Sequence, residues 1–514
     1  MLERLKDRRS PWDFVVIGGG ATGLGTALEA ASRGYQTLLL EQSDFGKGTS
    51  SRSTKLIHGG VRYLQQGNFS LVLEALRERG LLIRNAPHLV HHLSFVVPTY
   101  DWWEGPFYGL GLKLYDVLAG KLGLGPSTLL TREETLKRIP TLEPNGLRGG
   151  VVYFDGQFDD ARLAINLAQT FADHEGTPLN YVRVTSVLKA NQIVCGVTAR
   201  DEESGNEFEV LARAVINATG VFADSIRQMD EEGCSRVVSP SQGVHLVLDR
   251  SFQPSASAIM VPHTDDGRVL FAVPWHNRVV VGTTDTAVSE PTLEPRPLQE
   301  EIDFLLTHAA RYLTQDPTPA DVLSVFAGLR PLVAKQSGTN TAALSRDHTL
   351  LISTSGLVTV TGGKWTTYRK MGQDTIDQAV MVAGLDERPS VTQHLKLHGW
   401  THPGEAPDIF QVYGSDSSAV KSLAVQAGYP ANSLHPALPY HVGQVIWAVR
   451  REMARTVEDV LSRRTRALLL DAHASVEAAP LVAQVMAREL ARDQLWCDRQ
   501  VAAYRDLAKN YMLH

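Results

Sequence analysis

The chain has 514 residues, of which 43% are hydrophobic and 21% charged, a composition typical of two or three globular domains and not of a disordered or collagen-like chain. The net charge of −6 provides no global positive field, so nucleic acid is not an expected partner. The three cysteines are scattered and odd in number, which argues against a disulfide framework and a zinc site and fits a reducing, cytoplasmic compartment.

Targeting segments are not expected in this sequence. The stretch before Pro11 is charged and is followed by no apolar segment, so it does not resemble a cleaved signal peptide. The sequence contains no run of about 18 apolar residues, so no membrane-spanning helix is predicted. Attachment to a membrane surface stays open.

A βαβ unit is predicted at the start of the chain. A short apolar strand at 14–17 is followed by a helix at 21–33, which Gly34 ends, and by a second strand at 37–40, which ends at Glu41. A glycine-rich turn indicates dinucleotide binding when it follows a strand and opens a helix, as it does in this unit.

The turn after the first strand reads G-x-G-x-x-G. Gly18 permits the tight turn, Gly20 lets the backbone approach a pyrophosphate, and Gly23 allows close packing of the helix on the strand. A pyrophosphate would then lie on the helix N-terminus, where unpaired N–H groups favour anions. Glu41 can accept hydrogen bonds from ribose hydroxyls. The unit therefore predicts dinucleotide binding; an ordinary glycine turn is the alternative.

The segment 46–55 favours FAD over NAD. It is rich in Gly, Ser and Thr, with hydroxyls at Thr49, Ser50 and Ser51 and a cation at Lys55. A flavin needs such a loop to contact its pyrophosphate, ribityl chain and ring, whereas a nicotinamide dehydrogenase normally continues with further helix and strand. A solvent-exposed polar loop is the alternative interpretation.

The middle of the chain alternates helices and strands. Helices are predicted at 70–84 and 298–313, and strands within 181–217 and 244–290. The segment 100–125 combines aromatic residues, leucines, glycines and lysines. It is either a helix packed over a substrate domain or an amphipathic segment at a lipid interface.

Two further transitions from strand to glycine are candidates for cofactor contact. The buried-type strand at 214–218 ends in Ala218, Thr219 and Gly220, and the strand at 357–363 ends at Gly363. A helix follows the second transition, so its N–H groups would point at the flavin ring, where negative charge develops on reduction.

Five segments are similar to those of FAD-dependent glycerol-3-phosphate dehydrogenases, and their order and spacing also fit. They are KLIHGGVRYL at 55–64, DDARL at 159–163, GTTD at 282–285, GLRPL at 328–332 and GGKWTTYRK at 362–370. The resemblance covers residues 11–380 strongly and the helical C-terminal region, around 455–461, more loosely.

The resemblance implies FAD as cofactor, sn-glycerol 3-phosphate as substrate, dihydroxyacetone phosphate as product and a membrane quinone as electron acceptor. The positions matching the family's substrate pocket are Arg62, Tyr63, His245, Arg330, Lys364 and Thr366. The predicted FAD contacts are Gly18, Gly20, Gly23, Glu41, Thr49, Ser50, Ser51, Lys55, His58, Val184, Ala218, Gly220 and Gly363.

Other functions stay open. A glycerol-3-phosphate oxidase would pass electrons to oxygen, a related flavin amine or amino-acid oxidase would bind a carboxylate, and a flavin-containing binding protein would have no turnover. A homodimer and peripheral attachment to the cytoplasmic face of the inner membrane are expectations too. No EF-hand loop is present, and no metal is expected.

The reaction dictates the catalytic residues. A phosphate monoester needs several cationic donors, and Arg62, Arg330, Lys364 and Arg369 all lie in or beside glycine-rich or turn segments. The C2 hydroxyl proton must leave as hydride is transferred, and histidine is the natural base near neutral pH. His245 is the preferred base, with His58 and Lys364 as alternatives. The predicted catalytic set is His245, Lys364 and Arg330.

The predicted fold class is α/β. A Rossmann-like FAD-binding domain is interleaved with a mostly β substrate domain, and an all-helical C-terminal domain follows. The predicted pieces are a FAD-dependent region at 1–390, with FAD-binding parts at about 11–95, 146–230 and 325–385 and substrate or cap parts at about 96–145 and 231–324, a linker within 391–411, and a helical domain at 391–514.

Overall fold

A computed structural model describes residues 10–60, 68–262, 264, 268–333, 348–402, 404, 408–429 and 433–513. The strands are β1 (Trp12–Ile17), β2 (Thr37–Leu40), β3 (Leu56–Ile57), β4 (Val90–Thr99), β5 (Thr128–Thr131), β6 (Gly149–Phe158), β7 (Thr177–Leu179), β8 (Val182–Ala190), β9 (Ile193–Asp201), β10 (Glu207–Asn217), β11 (Val238–Asp249), β12 (Ala258–Val261), β13 (Leu270–Trp275), β14 (Arg278–Gly282), β15 (Thr286–Ala287), β16 (Val322–Val333), β17 (His348–Ile352) and β18 (Val358–Gly362). The α-helices are α1 (Ala21–Ser32), α2 (Phe69–Asn85), α3 (Glu104–Ala119), α4 (Arg132–Arg138), α5 (Asp160–Asp173), α6 (Ala223–Asp230), α7 (Gln299–Tyr312), α8 (Tyr368–Ala383), α9 (Ser417–Gln426), α10 (Val442–Arg451), α11 (Ala467–Leu470), α12 (Ala472–Leu490) and α13 (Gln494–Ala508).

The first sheet contains the predicted βαβ unit, β1-α1-β2. Its strand order is β17-β18-β10-β1-β2-β7, and β18, β10, β1, β2 and β7 are mutually parallel. β8 and β9 extend β10 as an antiparallel ribbon. The carboxyl ends of β1, β2, β10 and β18 therefore meet at one edge, which is where open α/β sheets bind ligands.

The second sheet is mostly antiparallel, as expected of a substrate domain. Its order is β15-β11-β14-β13-β12-β4-β6-β3, with β16 paired to β11 and β5 paired to β6. Register in this sheet brings side chains from distant segments together: His245 on β11 lies opposite Gly282 on β14 and Phe326 on β16. Since β4, β6 and β16 also belong to this sheet, it draws on chain segments that flank the parallel strands.

The C-terminal helices form a core of their own against the second sheet. Buried apolar residues of α10, α11, α12 and α13 pack together and against Val247, Trp275, Val280 and Phe326 of the sheet. The predicted α/β class with a helical C-terminal region is confirmed. The predicted domain boundaries stay a prediction.

Buried ion pairs join the C-terminal region to the segment that follows β2. Arg464 binds the Asp44 carboxylate with both terminal guanidinium nitrogens, at 2.6 and 2.8 Å, and Arg463 Nε donates to the same carboxylate at 2.5 Å. Burial alone would raise the pKa of the Asp44 carboxyl, but Arg464 and then Arg463 lower it well below its usual value. The Asp44 carboxylate is therefore ionised at neutral pH and forms ion pairs with both arginines.

Among the described residues, no helix is both long enough and apolar enough to cross a bilayer. The same residues include no group of three or more His, Cys, Asp or Glu side chains arranged to hold a metal ion.

Asp44→Asn should destabilise the protein strongly, because it removes the carboxylate that the buried Arg464 binds twice, although Arg463 keeps Glu458 and Asp459 as partners. Breaking a buried pair costs about 3–5 kcal/mol of unfolding free energy, measured here by urea denaturation of the FAD-saturated protein. The matched control is Asp408→Asn, since the Asp408–Lys421 pair is exposed and should contribute at most about 1 kcal/mol. Equal losses of unfolding free energy in both variants would show that the buried pair stabilises the protein no more than the exposed pair does. The contribution of Asp44 is full above the ordinary pKa of a carboxyl and is lost as the pH falls below it.

Candidate active site

A cavity of about 610 Å³ lies at the edge where the parallel strands end. Gly18 follows β1, Glu41 follows β2, Ala218 follows β10 and Gly363 follows β18, and all four line the cavity. Its size and position are those of a cofactor site at the switch point of an α/β sheet.

The turn after β1 has the backbone that the glycine motif predicts. Gly18 has φ +109°, and a Cβ there would lie 2.7 Å from the carbonyl oxygen of Ala218. A Cβ on Gly20 would lie 3.1 Å from Ser50 Oγ, and that hydroxyl accepts a hydrogen bond from the N–H of Ala21 at 2.9 Å. Gly18 and Gly20 therefore put no side chain of their own between the backbone of this turn and the cavity, as the close approach of a pyrophosphate requires.

Glu41 is held in place by backbone donors. Its carboxylate accepts from the N–H of Gly19 at 2.6 Å and from the N–H of Ser43 at 2.8 Å. Burial raises the pKa of Glu41, and these two N–H groups oppose that rise. Each oxygen keeps a further lone pair, so the carboxylate can also accept from the hydroxyls of a ribose.

Most of the predicted cofactor residues come together in this cavity, and four do not line it. Those lining it are Gly18, Gly20, Glu41, Thr49, Ser50, Val184, Ala218, Gly220 and Gly363. Gly23 packs against the turn, where a Cβ would lie 1.9 Å from Gly18 O. Lys55 is buried and donates to Asp160 at 2.7 Å and to the carbonyl of Ser51 at 2.9 Å. Gly23 and Lys55 therefore stabilise the turn and the loop without lining the cavity.

Two smaller cavities of about 210 Å³ each follow in series, the proximal pocket next to the cofactor cavity and the distal pocket next to the proximal one. The proximal pocket shares Thr49, Pro331, Gly363, Lys364 and Trp365 with the cofactor cavity. The distal pocket is lined by side chains such as Phe95, Tyr153, Asp155, Met260 and Arg268. The two pockets share Thr54, Leu56, His58, Phe271 and Arg330. His58 thus lies in these pockets and not among the lining residues of the cofactor cavity.

Arg330 lies on β16 where the two pockets meet. Its guanidinium donates to Thr283 Oγ1 at 3.1 Å and to the carbonyl of Thr284 at 3.0 Å, and it is 3.7 Å from Asp285. The guanidinium therefore brings its charge to the junction of the two pockets. An anion in either pocket would be attracted to it.

His245 lines the proximal pocket from β11 and is almost fully buried. Its ring stacks on Phe326 with centroids 4.8 Å apart, and Nε2 lies 2.9 Å from Thr54 Oγ1. Burial lowers the pKa of His245 well below 6.5, and the cations of Lys55 and Arg330 lower it further. The imidazole is therefore already neutral near pH 7, unlike an ordinary histidine that titrates there.

Lys364 and Thr366 both line the proximal pocket. Lys364 lines both the cofactor cavity and this pocket, and the Thr366 hydroxyl donates to the carbonyl of His58 at 3.3 Å. Arg62 and Tyr63, the other two predicted substrate residues, lie outside the described residues.

Arg369 does not join the predicted cluster of cations. Its guanidinium binds the Glu78 carboxylate with two hydrogen bonds, at 2.7 and 2.6 Å, in a buried position away from the three cavities. A helix begins one residue earlier, at Tyr368, and turns this side chain towards α2. Arg268, which belongs to no motif, lines the distal pocket instead.

A buried group that the sequence did not reveal holds the backbone beside His58. Arg79 donates to Asp155 at 2.7 Å, Tyr115 donates to the other carboxylate oxygen at 2.9 Å, and the N–H of Gly59 donates to the Tyr115 hydroxyl at 2.9 Å. These residues come from α2, β6 and α3, which are separated in the chain and meet only in the fold.

Comparisons with known proteins agree with this geometry. The FAD dependent oxidoreductase family matches residues 13–369, and the C-terminal domain of alpha-glycerophosphate oxidase matches residues 358–495. The mitochondrial glycerol-3-phosphate dehydrogenase of Macaca fascicularis is 40% identical over 98% of this chain and 74% of its own length. The Homo sapiens enzyme of the same name is 40% identical over 96% of this chain and 73% of its own. This chain belongs to the FAD-dependent glycerol-3-phosphate dehydrogenase family.

A solved structure extends the agreement to three dimensions. The glycerol-3-phosphate dehydrogenase from Bacillus halodurans, determined in complex with FAD, superposes with a TM-score of 0.79 at 30% identity, covering 98% of this chain and 95% of its own. The predictions of an FAD-dependent enzyme and of this family are confirmed. The cofactor cavity fits FAD, because a side-chain-free turn, a carboxylate for the ribose and the hydroxyl loop 49–51 all line or border it.

Gly18→Ala should weaken FAD retention, because alanine at φ +109° is strained and its Cβ would meet the Ala218 carbonyl. Purified protein should then show a lower ratio of flavin to protein absorbance after dialysis, and added FAD should restore it. Gly111→Ala is the matched control, since a Cβ there meets no atom within 4 Å and the site is helical. Full flavin retention in Gly18→Ala would contradict the assigned role of the turn.

Proposed function

We propose that this enzyme oxidises sn-glycerol 3-phosphate at C2 to dihydroxyacetone phosphate and passes the electrons to a membrane quinone. The observation that carries the proposal is the meeting of Arg330, Lys364 and His245 in one pocket that continues from the FAD cavity. The names of the relatives support the same substrate.

The cations of the pockets suit a phosphate monoester. Arg330 offers a planar fork that can grip two phosphate oxygens, and Lys364 adds a point charge on the cofactor side. Arg268 provides a further cation in the distal pocket. Glycerol 3-phosphate, with nearly two negative charges on three carbons, needs this combination of strong local charge and little volume.

His245 is the proposed base for the C2 hydroxyl, with Lys364 and His58 as the other candidates. FAD, when bound, supplies the oxidant that accepts the hydride from C2. The imidazole is neutral and can accept a proton, but Lys55 and Arg330 disfavour the imidazolium that results. A dianionic phosphate held by Arg330 would offset that positive field, so substrate binding itself makes His245 a stronger base.

Arg330→Ala should raise KM for glycerol 3-phosphate by about ten- to a hundredfold, since losing a charge-assisted bond costs about 1.5–3 kcal/mol. The measurement is steady-state oxidation of glycerol 3-phosphate and of free glycerol with a dye acceptor. Arg330→Lys, which keeps the charge and loses the fork, should lie between wild type and Arg330→Ala. An unchanged preference for glycerol 3-phosphate over glycerol in Arg330→Ala would show that Arg330 does not bind the phosphate.

The aromatic segment at 100–125 contains α3, and this helix is apolar on two faces. Tyr108, Leu112 and Tyr115 face inward and are buried against the second sheet. The exposed apolar positions share the outer side at helical spacing; they are Trp103, Phe107, Leu110, Leu114 and Val117. The packed-helix interpretation therefore holds for one face only.

The outer face of α3 is the proposed membrane contact. Leu110 and Val117 are 76% and 75% exposed, and Trp102 just before the helix is 77% exposed. Exposed aliphatic residues in one stripe, with tryptophans at one end and Lys113 beside the stripe, are typical of helices that lie in a lipid interface. Such contact would bring the enzyme to the membrane in which a quinone dissolves. Assembly as a homodimer and location at the cytoplasmic face of an inner membrane stay predictions.

Leu110→Ser combined with Val117→Ser should weaken flotation with anionic liposomes and lower turnover with a quinone dissolved in those liposomes. Turnover with a water-soluble dye should be unchanged, because the outer face of α3 lies away from the pockets. The matched control combines Met381→Ser and Val425→Ser, each 66% exposed on other helices, and should behave as wild type. Wild-type protein that fails to float at low salt would contradict the membrane contact. Oxygen serving better than quinone would favour the oxidase alternative.

A further inference from the structure

The ring of His245 is enclosed on most sides. Phe326 covers one face, with an interplanar angle of 12°, and a Cβ on Gly282 would lie 2.2 Å from His245 Cδ2. Nδ1 is buried and has no hydrogen-bond partner among the described residues. Within that part of the chain, the one hydrogen bond of the ring therefore joins Nε2 and the Thr54 hydroxyl, 2.9 Å apart.

Thr54 connects His245 to the distal pocket. It lines both the proximal and the distal pocket, whereas His245 lines the proximal pocket alone. A hydroxyl carries one donor and two acceptor lone pairs, so it can accept one proton while giving up another. The geometry places such a group between His245 Nε2 and the distal pocket, which Arg330 also lines.

Both chain neighbours of Thr54 are fixed to one buried carboxylate. Asp160 accepts from the N–H of Ser53 at 3.0 Å, from the Ser53 hydroxyl at 2.7 Å and from Lys55 Nζ at 2.7 Å. Lys55 has φ +65°, a conformation that lysine adopts only when its surroundings hold it there. This left-handed residue lets Lys55 point into the core while the adjacent Thr54 lines the pockets.

We propose that the Thr54 hydroxyl relays the substrate's C2 hydroxyl proton to His245, which makes Thr54 a catalytic residue and His245 a base that acts through it. The inference rests on the proposed function, oxidation of glycerol 3-phosphate. It differs from direct abstraction by His245, because no imidazole nitrogen need touch the substrate.

The step balances as a two-electron oxidation. The C2 hydroxyl gives its proton to Thr54 Oγ1, and the proton already on Thr54 moves to His245 Nε2. The hydrogen on C2 leaves with both electrons to the bound FAD, and the remaining C2–O bond becomes the carbonyl of dihydroxyacetone phosphate. Thr54 ends unchanged, and His245 holds one proton, which it loses to solvent before the next turnover.

The test is a double-mutant cycle read by anaerobic single-turnover reduction of the bound FAD with glycerol 3-phosphate. Thr54→Val keeps the shape and removes the hydroxyl, and it should slow reduction about a hundredfold or more, the usual loss for a missing proton-transfer group. Thr54→Ser keeps the hydroxyl and should stay within about tenfold of wild type, well above Thr54→Val. Thr54→Val combined with His245→Gln should be no slower than His245→Gln alone, since the two residues act in series.

Readouts other than rate separate the relay from a structural role. Flavin content and the affinity for dihydroxyacetone phosphate, followed by the flavin spectrum, should be unchanged in Thr54→Val. In mixtures of H₂O and D₂O the wild-type reduction rate should fall along a curve, because two protons move together, and the curvature should vanish in Thr54→Val. Thr375→Val is the matched control, since among the described residues that buried hydroxyl bonds only to the backbone of its own helix, the carbonyl of Met371.

Each outcome decides one proposal. Wild-type reduction in Thr54→Val, or losses from Thr54→Val and His245→Gln that add, would overturn the relay. Failure of glycerol 3-phosphate to reduce the wild-type flavin would overturn the proposed function instead. If Thr54→Val does not retain FAD, Thr54→Ala, which is smaller, replaces it in the same cycle with the same expected values.

Discussion

One buried carboxylate, Asp160, connects the three parts of the protein on which the active site depends. It accepts hydrogen bonds from Ser53 and Lys55 in the cofactor loop and from Arg466 in the C-terminal region, the last at 3.0 Å. Asp160 itself begins α5, a helix that packs on the FAD-binding sheet. A charge removed from water must be paired well, because the cost of leaving it unpaired is several kcal/mol. The loop can therefore adopt few conformations other than the one that lines the FAD cavity.

The same ion pairs set the electrostatics of the proximal pocket. Burial lowers the pKa of Lys55 to about 8, an effect that Asp160 opposes and Arg466 reinforces. Below that pH the lysine stays charged, 5.0 Å from the ring centroid of Phe326, on which His245 stacks. Lys55 and Arg330 both disfavour the imidazolium form of His245. Under the proposed function, a phosphate held by Arg330 would offset this positive field and so raise the basicity of His245.

The sequence predicted what depends on neighbours in the chain. The limits of β1, α1 and β2 follow from local hydrophobic periodicity, and Gly18 and Glu41 line the FAD cavity because strand ends place them there. The sequence could not predict contacts between residues that are far apart in the chain and meet only in the fold. Arg369 stands in the same motif as Lys364 yet pairs with Glu78, nearly 300 positions earlier in the chain. The sequence left open whether the segment at 100–125 packs over the second sheet or lies at a lipid interface, since its composition does not show which faces of the helix are buried.

The C-terminal helices belong to the catalytic unit even though, among the described residues, none of their side chains lines the three cavities. Arg463 and Arg464 hold Asp44 at the start of the cofactor loop, and Arg466 donates to the carbonyl of Ser51 at 2.7 Å near its end. Both ends of the loop are thus fixed by one short stretch of chain. A change in the helical region that moved this stretch would reach Thr49, Ser50 and Thr54 together. Cofactor retention and, in the proposed mechanism, proton transfer through Thr54 would then be lost together, because both depend on the same buried ion pairs.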